Sequence, residues 1–505
     1  MRLAAVLLSL SPLLLVEIAL RQLDTETAEA IDRDPLVDLH QLRPLFEKNE
    51  TTGRWEIPGR RFNFFRPDSF AADKPAGSRR IFVLGGSTVQ GRPYAIETAF
   101  STWLKLRLQA ASPTTTFEVV NCGGVSYASY RVAQILREVL RHEPDAIVIY
   151  TGHNEFLEER EYAEVRQMGS VRRWIAQVAS HIRLVSWIRE RWDSGSGSNG
   201  KRPKTVLPGE VDARLDHVGG LERYVRDPEW RAAVEFHFVE TLEQMIGLCA
   251  SAEVPLILCE PACDLVSTPP FKVMSIFEPG TADAREFEAR WRQAKQADGT
   301  IDDRLAASGA CLEMDPHHAG ANYIAGRLLY ERGELPKARP RLVAARDYDV
   351  CPLRATTPIV NAVEAEARKS AVPLVDTARL LDSRNHQGRR VPDGIADPEY
   401  FVDHLHPSIA GHQLIGKALA TKIIALGRFE DLEIDHQEAE QRYQQFAQQH
   451  LDSLSEDYYA RGSQRLEGLK RWAAGRAGSS VLDEELAAEE EVPAEGGERT
   501  VSPTP

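Results

Sequence analysis

Short apolar runs alternate, through the middle of this chain, with longer segments in which apolar residues recur at helical spacing. The run Ile81-Phe82-Val83-Leu84, which ends at two glycines, is typical of a strand buried on both faces. We predict such strands at residues 81–84, 117–120, 146–150, 255–259 and 372–375. The predicted helices lie at residues 95–109, 131–141, 241–251, 361–370 and 408–424. Because parallel strands need crossover connections that are usually helical, the alternation predicts an α/β fold with a five-stranded parallel sheet sandwiched by helices.

Two insertions interrupt this alternation. Residues 167–192 are predicted to be helical and lead into a flexible Ser/Gly loop at residues 194–200. The second insertion, at residues 285–350, resembles a tetratricopeptide fragment, with Gly326, Ala338 and Ala345 at the small-residue positions of that repeat. Only about one and a half repeats fit, fewer than a free-standing array needs, so we expect the insertion to pack against the core. A plain helical hairpin is the alternative. We expect this insertion to select a substrate or a protein partner without taking part in the chemistry.

The remaining boundaries follow from shifts in composition. The predicted order is a membrane anchor or signal segment (1–23), a polar lead-in rich in proline (24–78), a core in two parts (79–284 and 351–430) around the insertion at 285–350, a helical segment (431–475) and a disordered acidic tail (476–505). We expect the lead-in to wrap the core without building it.

The N-terminal segment has the composition of a membrane-spanning helix. Residues 3–20 are almost wholly apolar and would extend roughly 27 Å as a helix, enough to cross the hydrocarbon core. Acidic residues outnumber basic ones after this segment, which favours an extracytoplasmic (periplasmic or extracellular) body. Cleavage at Ala28-Glu29-Ala30, as in a signal peptide, is the alternative to the uncleaved anchor that we predict.

Charge and cysteine content exclude two classes of protein. The formal net charge is -14, and eight acidic residues with no basic residue lie in the stretch 483–498 alone. The body is therefore only mildly acidic and lacks the basic surface of a nucleic-acid binder. The six cysteines are too dispersed for a disulfide scaffold, so we expect buried small side chains with room for one bridge.

Polar segments follow three of the predicted strands, at the edge where parallel sheets bind their ligands. The Gly-Gly-Ser-Thr segment at 85–88 places Ser87 on a sharp turn that can expose a nucleophilic hydroxyl. Asn154 follows the third strand, where a side-chain amide can donate to an oxyanion. The loop after the second strand can present backbone N–H groups at Gly124 and Ser126. Taken singly, each segment is more typical of an ordinary turn or helix cap.

A fourth polar segment precedes the closing helix. A serine nucleophile needs a general base and a carboxylate that orients it, and Asp403 and His406 lie three residues apart in one loop. The alternative is a solvated helix lead-in. A metal site formed by His404, His406 and His412 with Asp403 is a further alternative, but the spacing differs from that of zinc helices. We therefore predict no metal and no other cofactor.

The order of these four segments resembles that of the SGNH (GDSL-like) hydrolases, over residues 80–425. In that family the first block supplies the nucleophile, matched by Ser87, and the last block is Asp-x-x-His, matched by Asp403 and His406. Asn154 matches the asparagine of Gly-x-Asn-Asp, although Glu155 replaces the final aspartate. The glycine of the second block is replaced by Ser126, with Gly124 nearby.

The resemblance implies a flavodoxin-like, three-layer sheet and a Ser87–His406–Asp403 triad. It also implies an oxyanion hole formed by Ser87, Asn154 and a loop N–H at Ser126 or Gly124, and it leaves His404 without a catalytic role. The Gly-x-Ser-x-Gly elbow of the ordinary α/β-hydrolases is excluded because Val89 holds its last position.

The implied activity is that of a serine esterase or acyl hydrolase acting outside the cytoplasm on an acylated carbohydrate or lipid. One alternative is an acyl (O-acetyl) transferase to a polysaccharide. Another is a catalytically decayed, membrane-anchored scaffold that binds partners through its helical repeat.

Overall fold

The computed structural model describes residues 34, 36–162, 165–166, 204–217, 219–296, 298–382, 394–427 and 436–477. The predicted anchor, the helical stretch 167–192, the Ser/Gly loop and the acidic tail beyond residue 477 lie outside these residues. No helix within these ranges is both long and apolar enough to cross a membrane.

The strands are short and most of them are buried. In chain order they are β1 (Val37–His40), β2 (Glu47–Asn49), β3 (Arg54–Glu56), β4 (Ser69–Ala71), β5 (Arg79–Gly85), β6 (Phe117–Gly123), β7 (Ala146–Tyr150), β8 (Thr205–Pro208), β9 (Leu256–Cys259) and β10 (Leu374–Val375).

The α-helices vary from one turn to six turns in length. In chain order they are α1 (Ser87–Gln90), α2 (Phe100–Ala111), α3 (Ser129–Val139), α4 (Pro228–Ser251), α5 (Ala282–Lys295), α6 (Ile301–Met314), α7 (Ala319–Glu331), α8 (Leu335–Asp347), α9 (Thr357–Lys369), α10 (Thr377–Leu380), α11 (Ile409–Ala425), α12 (His436–Ser453) and α13 (Glu456–Ala477).

The central sheet has five parallel strands in the order β10-β9-β7-β5-β6. This is the doubly wound, flavodoxin-like order, and it confirms the predicted fold class. The strands of this sheet that come first and third along the chain, β5 and β7, are neighbours in space, and the direction of winding reverses between them. A crevice opens at their carboxyl ends, and this is where such folds bind ligands.

Successive residues of the strands point into two different cores. Phe82 and Leu84 of β5 lie in the core under α3, α4 and α9, whereas Ile81 and Val83 lie in the core under α2 and α11. Because both faces are covered, the strands appear in the sequence as continuous apolar runs and not as alternating ones.

The lead-in contributes to the core, which corrects our expectation that it would only wrap it. Strands β2, β3 and β4 form an antiparallel sheet, and β1 pairs in parallel with β8. Phe46 and Phe70 are buried, and the Phe70 ring lies edge-on to Phe82 of the central sheet with 5.1 Å between centroids. Isolated aromatic residues in a polar, proline-rich stretch carry no periodic signal, so this contribution could not be recognised from the pattern.

Several predicted elements differ in length from the observed ones. Helix α4 has 24 residues and is capped by the Asp227 side chain, which accepts a hydrogen bond from the Trp230 N–H, but only its last half was predicted. Strand β10 has two residues instead of the predicted four. The charged residues on the exposed side of α4 obscured its apolar face.

The second insertion consists of the four helices α5 to α8. A Cβ at Gly326 of α7 would lie 2.8 Å from the Leu342 side chain of α8, so the small residue permits the close packing of these two helices. Leu342 and Tyr323 share a hydrophobic cluster with Leu405, the residue between His404 and His406. The insertion therefore packs directly on the loop that carries Asp403 and His406.

Helices α12 and α13 occupy most of the predicted C-terminal helical segment. They pack on α2 and on the chain that follows α1: the Arg107 guanidinium lies 3.5 Å from the centroid of the Tyr443 ring, and the Tyr458 ring stacks on Tyr94. All six cysteines are buried and free, so no bridge forms.

Candidate active site

Ser87 lies at the first turn of α1, directly beyond the end of β5, and is 8% exposed. The two preceding glycines are required by close approaches of the neighbouring chain. A Cβ at Gly85 would overlap the Tyr150 carbonyl at the end of β7, and a Cβ at Gly86 would lie 2.6 Å from the Asn154 amide nitrogen. The Gly-Gly-Ser sequence therefore lets β5 turn into α1 against the β7 loop and holds the serine hydroxyl at the crevice.

The three predicted triad residues form one continuous chain of hydrogen bonds. His406 Nε2 lies 2.7 Å from Ser87 Oγ, and His406 Nδ1 lies 2.6 Å from Asp403 Oδ2. Because an ionised carboxylate only accepts hydrogen bonds, the Nδ1–H donates to Asp403, and Nε2 is left to accept the serine O–H. This is the arrangement that a general base requires.

The loop around His406 fixes the position of Asp403. Asp403 Oδ1 accepts hydrogen bonds from the N–H groups of Leu405 at 2.9 Å and His406 at 2.8 Å. Burial opposes the ionisation of Asp403, but the electrostatic attraction of the His406 and His404 rings and these hydrogen bonds outweigh it, so the pKa of Asp403 is held below its ordinary value. Asp403 therefore remains a carboxylate beside His406.

Three predicted oxyanion donors, Ser87, Ser126 and Asn154, follow the ends of β5, β6 and β7. Asn154 donates one of its two side-chain hydrogens to the Tyr127 carbonyl at 3.0 Å, which leaves the other available. The Ser87 N–H is at the first position of α1, where no intrahelical acceptor exists. Ser126 has a φ of 63°, and its N–H meets no acceptor in the described part of the chain. This left-handed conformation accounts for the glycine that the family usually has there.

Gly124 does not fit the role of an oxyanion donor. Its N–H donates to the Gly85 carbonyl at 3.0 Å, so it is already engaged at the ends of β5 and β6. The sequence offered Gly124 and Ser126 as candidates for the loop donor of the oxyanion hole. Ser126 is the candidate that remains.

Glu155, which departs from the family pattern, has defined partners. Its carboxylate accepts hydrogen bonds from the Ser129 N–H at 2.8 Å and the Ser129 hydroxyl at 2.9 Å, at the N-terminus of α3. The side chain is 1% exposed, and this burial raises its pKa. Glu155 thus ties the loop of Asn154 to the loop of Ser126.

Three further histidines near the site are held in neutral form by burial. Burial lowers the pKa of His404 to about 4 and that of His153 and of His412 to about 3. His153 Nδ1 accepts from the Ala355 N–H and His412 Nδ1 from the Phe100 N–H, both at 3.2 Å. His404 packs against the Phe271 ring, 4.9 Å away. Over the residues that the structure covers, no three potential ligands converge on a metal site.

Sequence reasoning missed a buried polar cluster behind Asn154. The Arg160 guanidinium donates to the Glu155 carbonyl and lies 3.0 Å from His237 Nδ1, and His237 Nε2 lies 3.0 Å from both Asp34 carboxylate oxygens. These residues are far apart in sequence, so only the folded chain reveals the cluster. Sequence reasoning also missed Arg66 and Arg92, whose segments hydrogen-bond to α1, the helix that begins with Ser87.

No protein-family model matches the sequence. No curated protein matches it either. Among solved structures, the chain is similar to a lipase/acylhydrolase from Enterococcus faecalis (15% identity, 69% of this chain and 96% of that one, TM-score 0.30). It is also similar to a putative lipolytic protein of the G-D-S-L family from Desulfitobacterium hafniense (12% identity, 68% and 98%, TM-score 0.27). A third similar structure is a GDSL-like lipase from Bacteroides thetaiotaomicron (11% identity, 69% and 89%, TM-score 0.28). These similarities are distant. The resemblance to SGNH (GDSL-like) hydrolases rests on this chain's own strand order and site residues.

Proposed function

We propose that this protein is a serine esterase that cleaves ester bonds through an acyl-enzyme formed on Ser87. The observation that carries the proposal is the unbroken hydrogen-bond chain Ser87–His406–Asp403 at the crevice between β5 and β7. The hydrogen-bond chain of these three residues and the Asn154 amide, which keeps one hydrogen available, argue against the alternative of a decayed scaffold.

In the first half-reaction His406 Nε2 accepts the proton of Ser87 as Oγ attacks the ester carbonyl carbon. The carbonyl oxygen becomes an oxyanion that accepts hydrogen bonds from the Ser87 N–H, the Asn154 amide and the Ser126 N–H. The tetrahedral intermediate then collapses: the carbon–oxygen bond to the alcohol breaks, and His406 returns its proton to the departing alcohol.

In the second half-reaction water attacks the acyl-Ser87 ester while His406 accepts one of its protons. Collapse releases the carboxylic acid, and the proton on His406 returns to Ser87 Oγ. Asp403 remains a carboxylate throughout and stabilises the imidazolium. A sugar hydroxyl in place of water would give acyl transfer by the same steps. An acylated carbohydrate outside the cytoplasm is the substrate class that we propose first.

The test is hydrolysis of 4-nitrophenyl acetate by the full chain, with and without a serine-directed phosphonate. We expect Ser87→Ala to lower turnover by on the order of 10³ or more. Mass spectrometry should locate the phosphonate adduct on Ser87. The exposed Ser370, at the end of α9, provides the control variant Ser370→Ala, which should retain activity. Turnover that survives Ser87→Ala, or an adduct on another serine, would refute the proposal.

A second acceptor separates hydrolysis from transfer. A methyl glycoside is added to the reaction, and the products are identified by mass spectrometry as free acid or as glycoside ester. If the protein is a hydrolase, more free acid than glycoside ester should form at a millimolar concentration of the glycoside.

A further inference from the structure

Two arginines belong to separate segments of the chain that hydrogen-bond to the helix of Ser87. Arg92 lies two residues after the end of α1, and its N–H donates to the Ser87 carbonyl at 3.2 Å. Arg66 lies two residues after Phe64, whose carbonyl accepts from the Gln90 side chain of α1 at 2.7 Å and from the Val125 N–H at 2.9 Å. The backbone around both arginines is therefore held by hydrogen bonds to α1 and, near Arg66, also to the loop that carries Ser126.

A third arginine comes from the C-terminal helix α13. Arg465 Nη1 donates to the Tyr94 carbonyl at 2.8 Å, two residues after Arg92. Stacking of Tyr458 on Tyr94 and a close approach of Gly462 to the same ring hold α13 in this position. Helix α13, which is distant in sequence, thus brings another positive charge next to the segment that carries Arg92.

Arg66 and Arg92 have no counter-ion within the residues that the structure describes. Neither guanidinium makes an ion pair or a side-chain hydrogen bond to another of these residues, and Arg66 Nε is buried without a partner. Both side chains are partly buried. Burial lowers the pKa of both groups, and the positive charge of Arg465 lowers it further, as does the charge of Arg92 in the case of Arg66.

The nearby carboxylates do not neutralise this cluster. Glu97 attracts Arg66, and Asp403 and Asp216 attract Arg92, but none of them is within ion-pair distance of either guanidinium. Asp403 is already committed to His406. Unpaired, partly desolvated cations that lie close together are energetically unfavourable. They also stand out in a chain that is acidic as a whole. A ligand that carries a negative charge would compensate them.

We propose that the crevice beside Ser87 binds esters that carry an anionic group, a carboxylate or a phosphate, through the guanidinium groups of Arg66 and Arg92. The planar fork of an arginine matches the oxygen geometry of both anions, and its hydrogen bonds to them are charge-assisted. This inference rests on the proposed esterase function and names its substrate class: an acylated uronate, or an acylated sugar that bears a phosphate.

The test uses three acetylated methyl glucosides that differ only at C6. One carries the neutral hydroxymethyl group, one the carboxylate of glucuronate and one a 6-phosphate. Release of acetate gives kcat/KM for each, and the decisive quantity is the ratio of an acidic ester to the neutral ester. We expect this ratio to exceed about 10 for the wild type, since a charge-assisted hydrogen bond contributes about 1.5–3 kcal/mol. The larger of the two acidic ratios identifies which anion the site prefers.

The variants Arg66→Gln and Arg92→Gln should each lower that ratio about tenfold, mainly through KM, and Arg66→Lys should lower it less. The control is Arg461→Gln on the same helix as Arg465, because Arg461 is exposed and paired with Asp457. It should leave the ratio unchanged. If Arg66→Gln does not fold, Arg92→Gln and the wild-type ratio still decide the matter.

Equal kcat/KM values for the three esters, or ratios that neither glutamine variant changes, would overturn the inference while leaving the esterase proposal intact. If no ester is hydrolysed, the esterase proposal fails, and calorimetric titration with unacetylated methyl glucuronide, glucoside and glucoside 6-phosphate then tests the anion site alone. Tighter binding of either anion than of the neutral glucoside supports the site, and equal affinities refute it.

Discussion

Glu155→Asp restores the residue that SGNH hydrolases usually have after the asparagine, and we nevertheless expect it to be harmful here. Removing one methylene withdraws the carboxylate by about 1.5 Å. The 2.8 Å contact with the Ser129 N–H would widen to about 4 Å, beyond hydrogen-bonding range. The 2.9 Å bond to the Ser129 hydroxyl would be lost with it.

The expected cost is about 2–4 kcal/mol in the free energy of unfolding, since two buried hydrogen bonds are broken and a buried N–H is left without an acceptor. Turnover should fall as well, because Glu155 joins the loops that carry Asn154 and Ser126. Urea unfolding and 4-nitrophenyl acetate hydrolysis measure the two effects. The control is Glu159→Asp, four residues later, where the side chain is 62% exposed. The reasoning is refuted if Glu155→Asp matches the wild type in both stability and turnover.

Three further predictions concern the same site. Asp403→Asn should lower kcat by on the order of 10⁴ with the fold intact, a size known from the same substitution in other serine hydrolases, because the asparagine no longer selects the His406 tautomer that can accept the serine proton; near-wild-type kcat would contradict this. Gly86→Ala should lower esterase turnover at least tenfold, because the new Cβ would lie 2.6 Å from the Asn154 nitrogen, whereas Gly247→Ala, with nothing within 4 Å, should be neutral or stabilising. As the pH falls from 6 to 5, the free energy of unfolding of His412→Asn should rise relative to that of the wild type by about 1.4 kcal/mol per pH unit. The reason is that the pKa of His412 is lowered to about 3 from 6.5, so that only the unfolded wild type takes up this proton; urea unfolding at both pH values gives the difference, and an unchanged difference would count against it.

The parts of this protein that could be predicted are those governed by local pattern. The core strands bury both faces and therefore appear as apolar runs, and Ser87, Asn154, Asp403 and His406 each lie at fixed positions relative to those strands. What could not be predicted depends on contacts between distant segments. Three such contacts have no counterpart in sequence spacing: the hydrogen bond from Arg465 to the Tyr94 carbonyl, the hydrogen bond between Glu155 and Ser129, and the packing of Phe70 against Phe82.

The choice between Gly124 and Ser126 shows the same limit at a single loop. Both residues are candidates by register, and the sequence does not reveal which N–H is already bonded. The answer depends on the end of β5, whose Gly85 carbonyl accepts from Gly124.

The position of Leu405 between the two histidines has a consequence for protein engineering. Joining residue 284 to residue 351 is the direct way to reduce the protein to a minimal α/β core. Leu405, Val266 and Cys263 would then lose the apolar surface of Tyr323 and Leu342 that covers them. Exposing a buried leucine alone costs about 1.5–3 kcal/mol, and here it would act on the residue next to His406. The helical insertion is therefore not a removable module, and a shortened protein would need polar replacements at these covered positions to keep the loop of Asp403 and His406 in place.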